Sequence, residues 1–182
     1  MNIAPLQPKG IVFQEVSVQA NLDEHENPMP TENFDFSGVR ISCEVGHGDV
    51  ERADGEELES SSSMLVSIKF SILNTEGKKA PYNVKVVATG IFTWIGKETA
   101  AEERRDLTVV NGASILFGAI REMVLNVTSR SMSGTMLLPS FNFLDNKPSI
   151  IEAKAKADKP AEDKPLGEQG HQNLKRPGPS RA

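Results

Sequence analysis

Residues 82–130 place a long alternating segment beside a long segment of helical period, and this pairing limits the fold more than any other feature. Tyr82, Val84, Val86, Ala88, Phe92 and Trp94 share one parity, while Asn83, Lys85, Thr89 and Thr93 share the other. A strand's period of two puts the first set on a covered face and the second in water. Gly90 interrupts the apolar set, which predicts a bulge or a close backbone approach. After a polar spacer, residues 97–110, a helix is expected with Asn111 or Ser114 capping its first free N–H groups. At about 100° per residue, Ala113, Leu116, Phe117, Ile120, Met123, Val124 and Val127 form one stripe, and a stripe of this kind needs a sheet or helix to cover it. Ile115, Gly118, Ala119 and Leu125 fall on the far side, among Arg121, Glu122, Asn126, Ser129 and Arg130. Small and apolar residues there predict a second contact surface suited to helix packing between subunits.

Three further strands are expected upstream. Residues 11–20 place Val12, Val16, Val18 and Ala20 on one face, against Ile11, Phe13, Glu15, Ser17 and Gln19. Val39, Ile41, Cys43 and Val45 alternate with Arg40, Ser42 and Glu44, and Met64, Val66, Ile68, Phe70 and Ile72 alternate with Leu65, Ser67, Lys69 and Ser71. Four one-sided strands describe an antiparallel sheet with one covered face. Residues 74–79 are of hairpin length, with Gly77 supplying positive φ. Residues 21–37 hold Pro28, Pro30, Phe34 and Phe36, a length that can cross a sheet edge. Residues 46–63, rich in Gly, acid and Ser, read as a mobile polar loop. After the helix, Met136, Leu137, Leu138, Phe141 and Phe143 surround Pro139 in an extended stretch that either closes the core or lines a groove. The expected division is an N-terminal arm at 1–10, one domain at 11–145 and a disordered tail at 146–182, with a helical turn or two near 150–156.

Reactive chemistry is hard to find. His25, His47 and His171 have no ligand spacing to Cys43, so neither a zinc site nor any other cofactor is expected. Gly46-His47-Gly48 lacks the rest of a phosphate loop, and no nucleophile elbow or Cys/His constellation is present, so an enzyme is not expected. At 182 residues and 38% hydrophobic, the chain suits one domain with a core rather than two. Its single cysteine favours a reducing compartment. With no run near the roughly 18 apolar residues of a membrane span and no apolar signal segment at 1–10, a cytoplasmic protein is expected. Residues 1–144 carry 19 acidic and 12 basic groups, so the folded part has no electrostatic footprint for nucleic acid.

The ordered set of segments over about residues 10–144 resembles one family, the SecB export chaperones. Glu15-Val16-Ser17-Val18-Gln19-Ala20 is similar to the family's first strand, Val39-Arg40-Ile41 to its second, and Gly90-Ile91-Phe92 followed by Ile95-Gly96 to its fourth. In the helix, Ile115-Leu116-Phe117, Arg121-Glu122 and Ser129-Arg130 stand at the family's spacing, and Leu138-Pro139 then Asn142-Phe143 resembles the segment after it. The resemblance implies an α+β protomer, a four-stranded antiparallel sheet packed with a long helix, assembled as a homotetramer (a dimer of dimers) with the helices between the sheets. On this resemblance Ile115, Gly118, Ala119, Glu122 and Leu125 would lie in the subunit interface. It also implies an ATP-independent holdase that keeps preproteins unfolded for the Sec pathway, with a client groove drawn from Phe34, Phe36, Val39, Ile41, Cys43, Phe141, Phe143 and Leu144. Val39, Ile41 and Cys43 read equally well as ordinary core.

Departures fall on the face that the family uses to hold the SecA motor. Glu15 stands at one acidic position, but Gln19 replaces the next acid, Asn83 an apolar contact, and Lys85 reverses a negative charge. A reversed charge at a complementary patch costs on-rate and affinity. The family's second helix also loses its apolar start to Asp145-Asn146-Lys147-Pro148-Ser149. A second function therefore stands beside the first: a solitary SecB-like chaperone dedicated to one partner, such as an antitoxin, without SecA. A plain α+β scaffold that holds no client is the third.

Overall fold

In the computed structural model, residues 4–50, 63–95 and 99–157 are described. Four strands, β1 (Leu6–Ala20), β2 (Val39–Asp49), β3 (Ser63–Gly77) and β4 (Tyr82–Trp94), precede the helix α1 (Ala101–Thr128). A short 3-10 turn at Leu144–Asn146 leads to α2 (Pro148–Ala157). The strands form one antiparallel sheet in the order β1-β4-β3-β2, so the fold is α+β as the patterning requires.

The two central strands keep their parity. Met64, Val66, Ile68, Phe70 and Ile72 of β3 lie beside Phe92, Gly90, Ala88, Val86 and Val84 of β4, all on the face that α1 covers. Leu116, Phe117, Ile120 and Val124 fill the space between helix and sheet. Gly90 marks a close approach and not a bulge: a Cβ there would lie 2.8 Å from Cε2 of Phe92 and 3.2 Å from Cδ2 of Leu116.

The outer elements differ from expectation. β1 starts at Leu6, so much of the supposed N-terminal arm is strand, with Leu6 buried opposite Trp94. Two register shifts, between Pro8 and Gly10 and between Phe13 and Glu15, interrupt its pairing with β4. Each inserted residue switches which parity faces the helix. Ile11 and Phe13 therefore join Val16 and Val18 on the inner face, opposite Gly90, Ala88, Val86 and Val84, although Val16 stays 41% exposed at the sheet edge. Val12, expected with the latter pair, lies opposite Thr89 on the outer face and is 63% exposed. β2 continues through Gly46 to Asp49, which removes the start of the supposed mobile loop. The rest of that segment, 51–62, lies outside the described residues, as does 158–182 of the expected tail.

α1 begins at Ala101, ten residues before the earlier of the expected caps, and neither Asn111 nor Ser114 caps it. Its first turn is Ala-Glu-Glu-Arg-Arg, strong helix formers with two acids favourably placed at the positive end. Ser114 sits inside the helix and donates from Oγ to the Val110 carbonyl at 2.9 Å. At the C-terminal end the stripe departs from Val127, which is exposed, to Thr128, which is fully buried. The Thr128 hydroxyl donates to the Val124 carbonyl at 2.8 Å and accepts from Met136 N–H at 2.9 Å, tying the returning chain to the helix. One 18-residue window of α1 is long and apolar enough to cross a bilayer by length and composition, contrary to expectation, and half of it is buried inside the fold. α2 forms where the tail was expected to begin, since Pro148 suits a helix start and Asp106 of α1 accepts from both N–H (3.1 Å) and Oγ (2.5 Å) of Ser149.

Candidate functional site

α1 lies over β4, β3 and β1, which leaves the inner face of β2 without a helix above it. The β2 side chains on that face, Ile41, Cys43 and Val45, stand opposite Ile72, Phe70 and Ile68 and stay half-buried where their β3 neighbours are completely buried. A sheet edge with apolar residues of this kind normally gains a cover. Here two irregular segments flank it instead.

The crossover between β1 and β2 supplies the first wall. Phe34 and Phe36 pack edge to face with ring centroids 5.2 Å apart. Thr31 anchors the crossover to the chain after α1, its N–H and Oγ both donating to the Ser133 carbonyl at 3.0 and 3.1 Å. Gly134 at φ +86° completes this junction, and its carbonyl accepts the Tyr82 hydroxyl at 2.6 Å. Thr31, Asn33, Phe34, Phe36, Thr135, Met136 and Leu137 line a cavity of about 180 Å³ between the two segments.

The post-helix segment forms the second wall by alternation. Met136 and Leu138 are buried, while Leu137 between them is 60% exposed. Phe141 lies against Phe117 at 5.0 Å and Phe70 at 6.2 Å, and remains partly open to solvent. Phe70 is in turn the cross-strand neighbour of Cys43, so strip and wall meet there. Burial pushes the Cys43 thiol up to about 11, with the neighbouring Glu44 carboxylate adding to it.

Phe34, Phe36, Ile41 and Cys43 thus pack partly buried on one core, which Phe141 meets through Phe70 and Phe117, with Val39 half-buried at the start of β2. Phe143 is corrected from the groove to the core: it is 5% exposed and packs on Phe117 at 5.9 Å, beneath the surface that Phe141 offers. Leu144 is exposed on the 3-10 turn beyond it. Val45 joins the strip, and Leu137 lines the cavity beside Phe34 and Phe36. Val45 could have been placed there from its parity with Ile41 and Cys43, whereas nothing local separates Leu137 from Leu138.

The opposite face of the sheet carries Glu15, Gln19, Asn83 and Lys85. Lys85 Nζ pairs with Glu15 Oε1 at 2.9 Å, neutralising the acid that this face would need for a basic partner. Asn83 is committed to its neighbours, donating to Asn21 Oδ1 at 2.9 Å and accepting from Asn74 N–H at 3.1 Å. On α1, Ile115, Gly118 and Glu122 are exposed and Ala119 and Leu125 half-buried, so the far side of the helix is open. Among the described residues, no group of three His, Cys, Asp or Glu side chains could hold a metal ion.

No family model matches the sequence, and no curated protein matches it. Solved structures do. A protein of unknown function from Streptococcus agalactiae is similar with a TM-score of 0.51 at 14% identity, covering 75% of this chain and 97% of its own. The SecB-like chaperone Rv1957 from Mycobacterium tuberculosis, in complex with a ChAD peptide from the antitoxin HigA1, gives a TM-score of 0.44 at 14% identity over 76% of this chain and 91% of its own.

Proposed function

We propose that this protein is an ATP-independent chaperone that holds unfolded polypeptide in an extended form along the inner face of β2. The observation that carries the proposal is the half-covered strip of Ile41, Cys43 and Val45 on β2, with the partly buried aromatics Phe34 and Phe36 on the same core and Phe141 over Phe70. An extended client presents alternate apolar side chains and free backbone groups, which an apolar strip on a sheet edge can accept together. Aromatic anchors with partial exposure suit many clients, because they bury much area at little cost in side-chain entropy. The sequence resemblance to the SecB chaperones points the same way. The open far side of α1 fits a tetramer in which helices pack between sheets.

The Glu15–Lys85 pair favours a dedicated holding role, such as keeping one antitoxin-like partner unfolded, over delivery of preproteins to SecA. A neutralised patch gives a motor little to steer towards.

Dilution of a denaturant-unfolded client tests the proposal. The wild-type chain is expected to suppress light scattering at near-equimolar ratio without nucleotide. Ile41→Asp, which puts a charge into the strip, is expected to lose most of that suppression, while Lys69→Ala on the outer face keeps it. Scattering unchanged at a tenfold excess of the wild-type chain rules out the holding function.

A further inference from the structure

Phe34 and Phe36 sit on a crossover rather than on a strand or helix, and a wall built on irregular chain needs something to fix it. The fixing group comes from the neighbouring turn at the same end of the sheet. Lys78, in the turn between β3 and β4, lies with its Nζ 4.8 Å from the centroid of the Phe34 ring. The same ammonium donates to the Asp35 carbonyl at 2.5 Å and stands 3.6 Å from Asp35 Oδ2. One cation therefore holds the ring of Phe34, and the backbone and carboxylate of the residue between the two aromatics.

The base of Lys78 is itself fixed. Its N–H donates to the Gly38 carbonyl at 3.1 Å, where Gly38 and Gly77 both adopt positive φ and a Cβ on Gly77 would lie 2.9 Å from Gly38 O. Asn74 closes the turn from inside: its Oδ1 accepts from Ala80 N–H at 2.7 Å, and its Nδ2 donates to the Tyr82 carbonyl at 3.2 Å and Asn83 Oδ1 at 2.9 Å. The flexible lysine stem thus starts from a rigid turn, which limits the entropy lost in holding its head in place.

We propose that Lys78 is a positioning residue for the holding function: it fixes the Phe34/Phe36 wall at the distance from β2 that an extended client needs. Granting the function proposed above, Lys78 sets client affinity without touching the client strip. One face of the Phe34 ring is occupied by the ammonium, so the Phe36 ring and the free parts of Phe34 are what a client meets. A cation over an aromatic face is worth most when its charge is kept and its geometry unhindered. Arginine should therefore substitute for Lys78, and methionine, with a similar stem and no charge, should not.

The experiment measures affinity for a permanently unfolded, fluorescently labelled polypeptide, with the full chain in five forms: wild type, Lys78→Met, Lys78→Arg, and Phe34→Leu with and without Lys78→Met. Ring resonances of Phe34 and Phe36 are followed in the same samples by ¹³C-resolved NMR without client. Lys78→Met is expected to weaken binding about fivefold, with Tm almost unchanged because the side chain is largely exposed. Lys78→Arg should stay within about twofold of wild type, and Lys78→Met should cost almost nothing more once Phe34 is leucine, the non-additivity of a coupled pair. Wild-type binding with equally tight Lys78→Met binding overturns the positioning role and leaves the chaperone function standing. A wild-type chain that binds no client overturns the function, and the NMR arm then judges the clamp alone: rings that shift on Lys78→Met support it, and rings that do not move overturn it.

Discussion

Replacing Phe70 with alanine is expected to lower the unfolding free energy by about 3–5 kcal/mol. The side chain is 0% exposed and belongs to an aromatic cluster, 5.6 Å from Phe117 and 6.2 Å from Phe141 between ring centroids. Its removal leaves a cavity that α1 and β3 cannot close, since Phe117 is held by Phe141 and Phe143 on its other sides. Urea titration should show a lower midpoint with an unchanged slope. A loss below about 1 kcal/mol would mean that the cluster is not the core it looks to be. Phe70 also supports the candidate site from beneath, because it lies under Phe141 and beside Cys43. Client binding by Phe70→Ala should therefore fall even at temperatures where the variant stays folded.

Gly90→Val carries the second large effect and the opposite fault, overfilling. Valine suits strands by propensity, a preference worth up to about 1 kcal/mol, so local reasoning alone would favour it. The added Cβ would lie 2.8 Å from Phe92 Cε2 and 3.2 Å from Leu116 Cδ2, and both of those side chains are 0% exposed. Neither can move without displacing α1 from the sheet. Gly112 on the helix makes the matching approach, with 3.1 Å to Val66 Cγ2 and 3.2 Å to Phe92. Two glycines facing one ring allow helix and sheet to seat together, and a loss of about 3 kcal/mol is expected when one is filled. Gly10→Val is the control. A Cβ at Gly10 meets nothing within 4 Å, so that change should be nearly neutral. Equal effects at the two positions would refute the close-approach account.

What could be read in advance follows from whether a signal is local. β3 and β4 are flanked on both sides by other strands and obey a period of two without interruption, so their covered faces were legible residue by residue. β1 is an edge strand with two register shifts, and composition carries no mark of where an extra residue is inserted. That is why Val12 and Phe13 exchanged faces against expectation, and why the Glu15–Lys85 pairing could not be anticipated. The first turns of α1 give no periodic signal because they are charged and carry no apolar stripe, although their helix propensity is high. In the post-helix segment, neighbours such as Leu137 and Leu138 have equal hydrophobicity and opposite fates, decided by the anchors at Thr128 and at Arg121, which donates from Nε to the Leu138 carbonyl at 3.1 Å. The apolar residues around β2 were legible as a set, but their arrangement was not. Phe143 lies below Phe141, and the hold of Lys78 on Phe34 and Asp35 spans more than 40 positions of chain.

The proposed holding function places unfolded polypeptide along the inner face of β2. Chemical-shift mapping with an isotopically labelled chain and a permanently unfolded client tests it most directly. Perturbations are expected at Phe34, Phe36, Ile41, Cys43, Val45 and Phe141, with the outer-face residues Leu65, Val87 and Ile91 unmoved. Perturbations confined to that outer face, or none at saturating client, would contradict it.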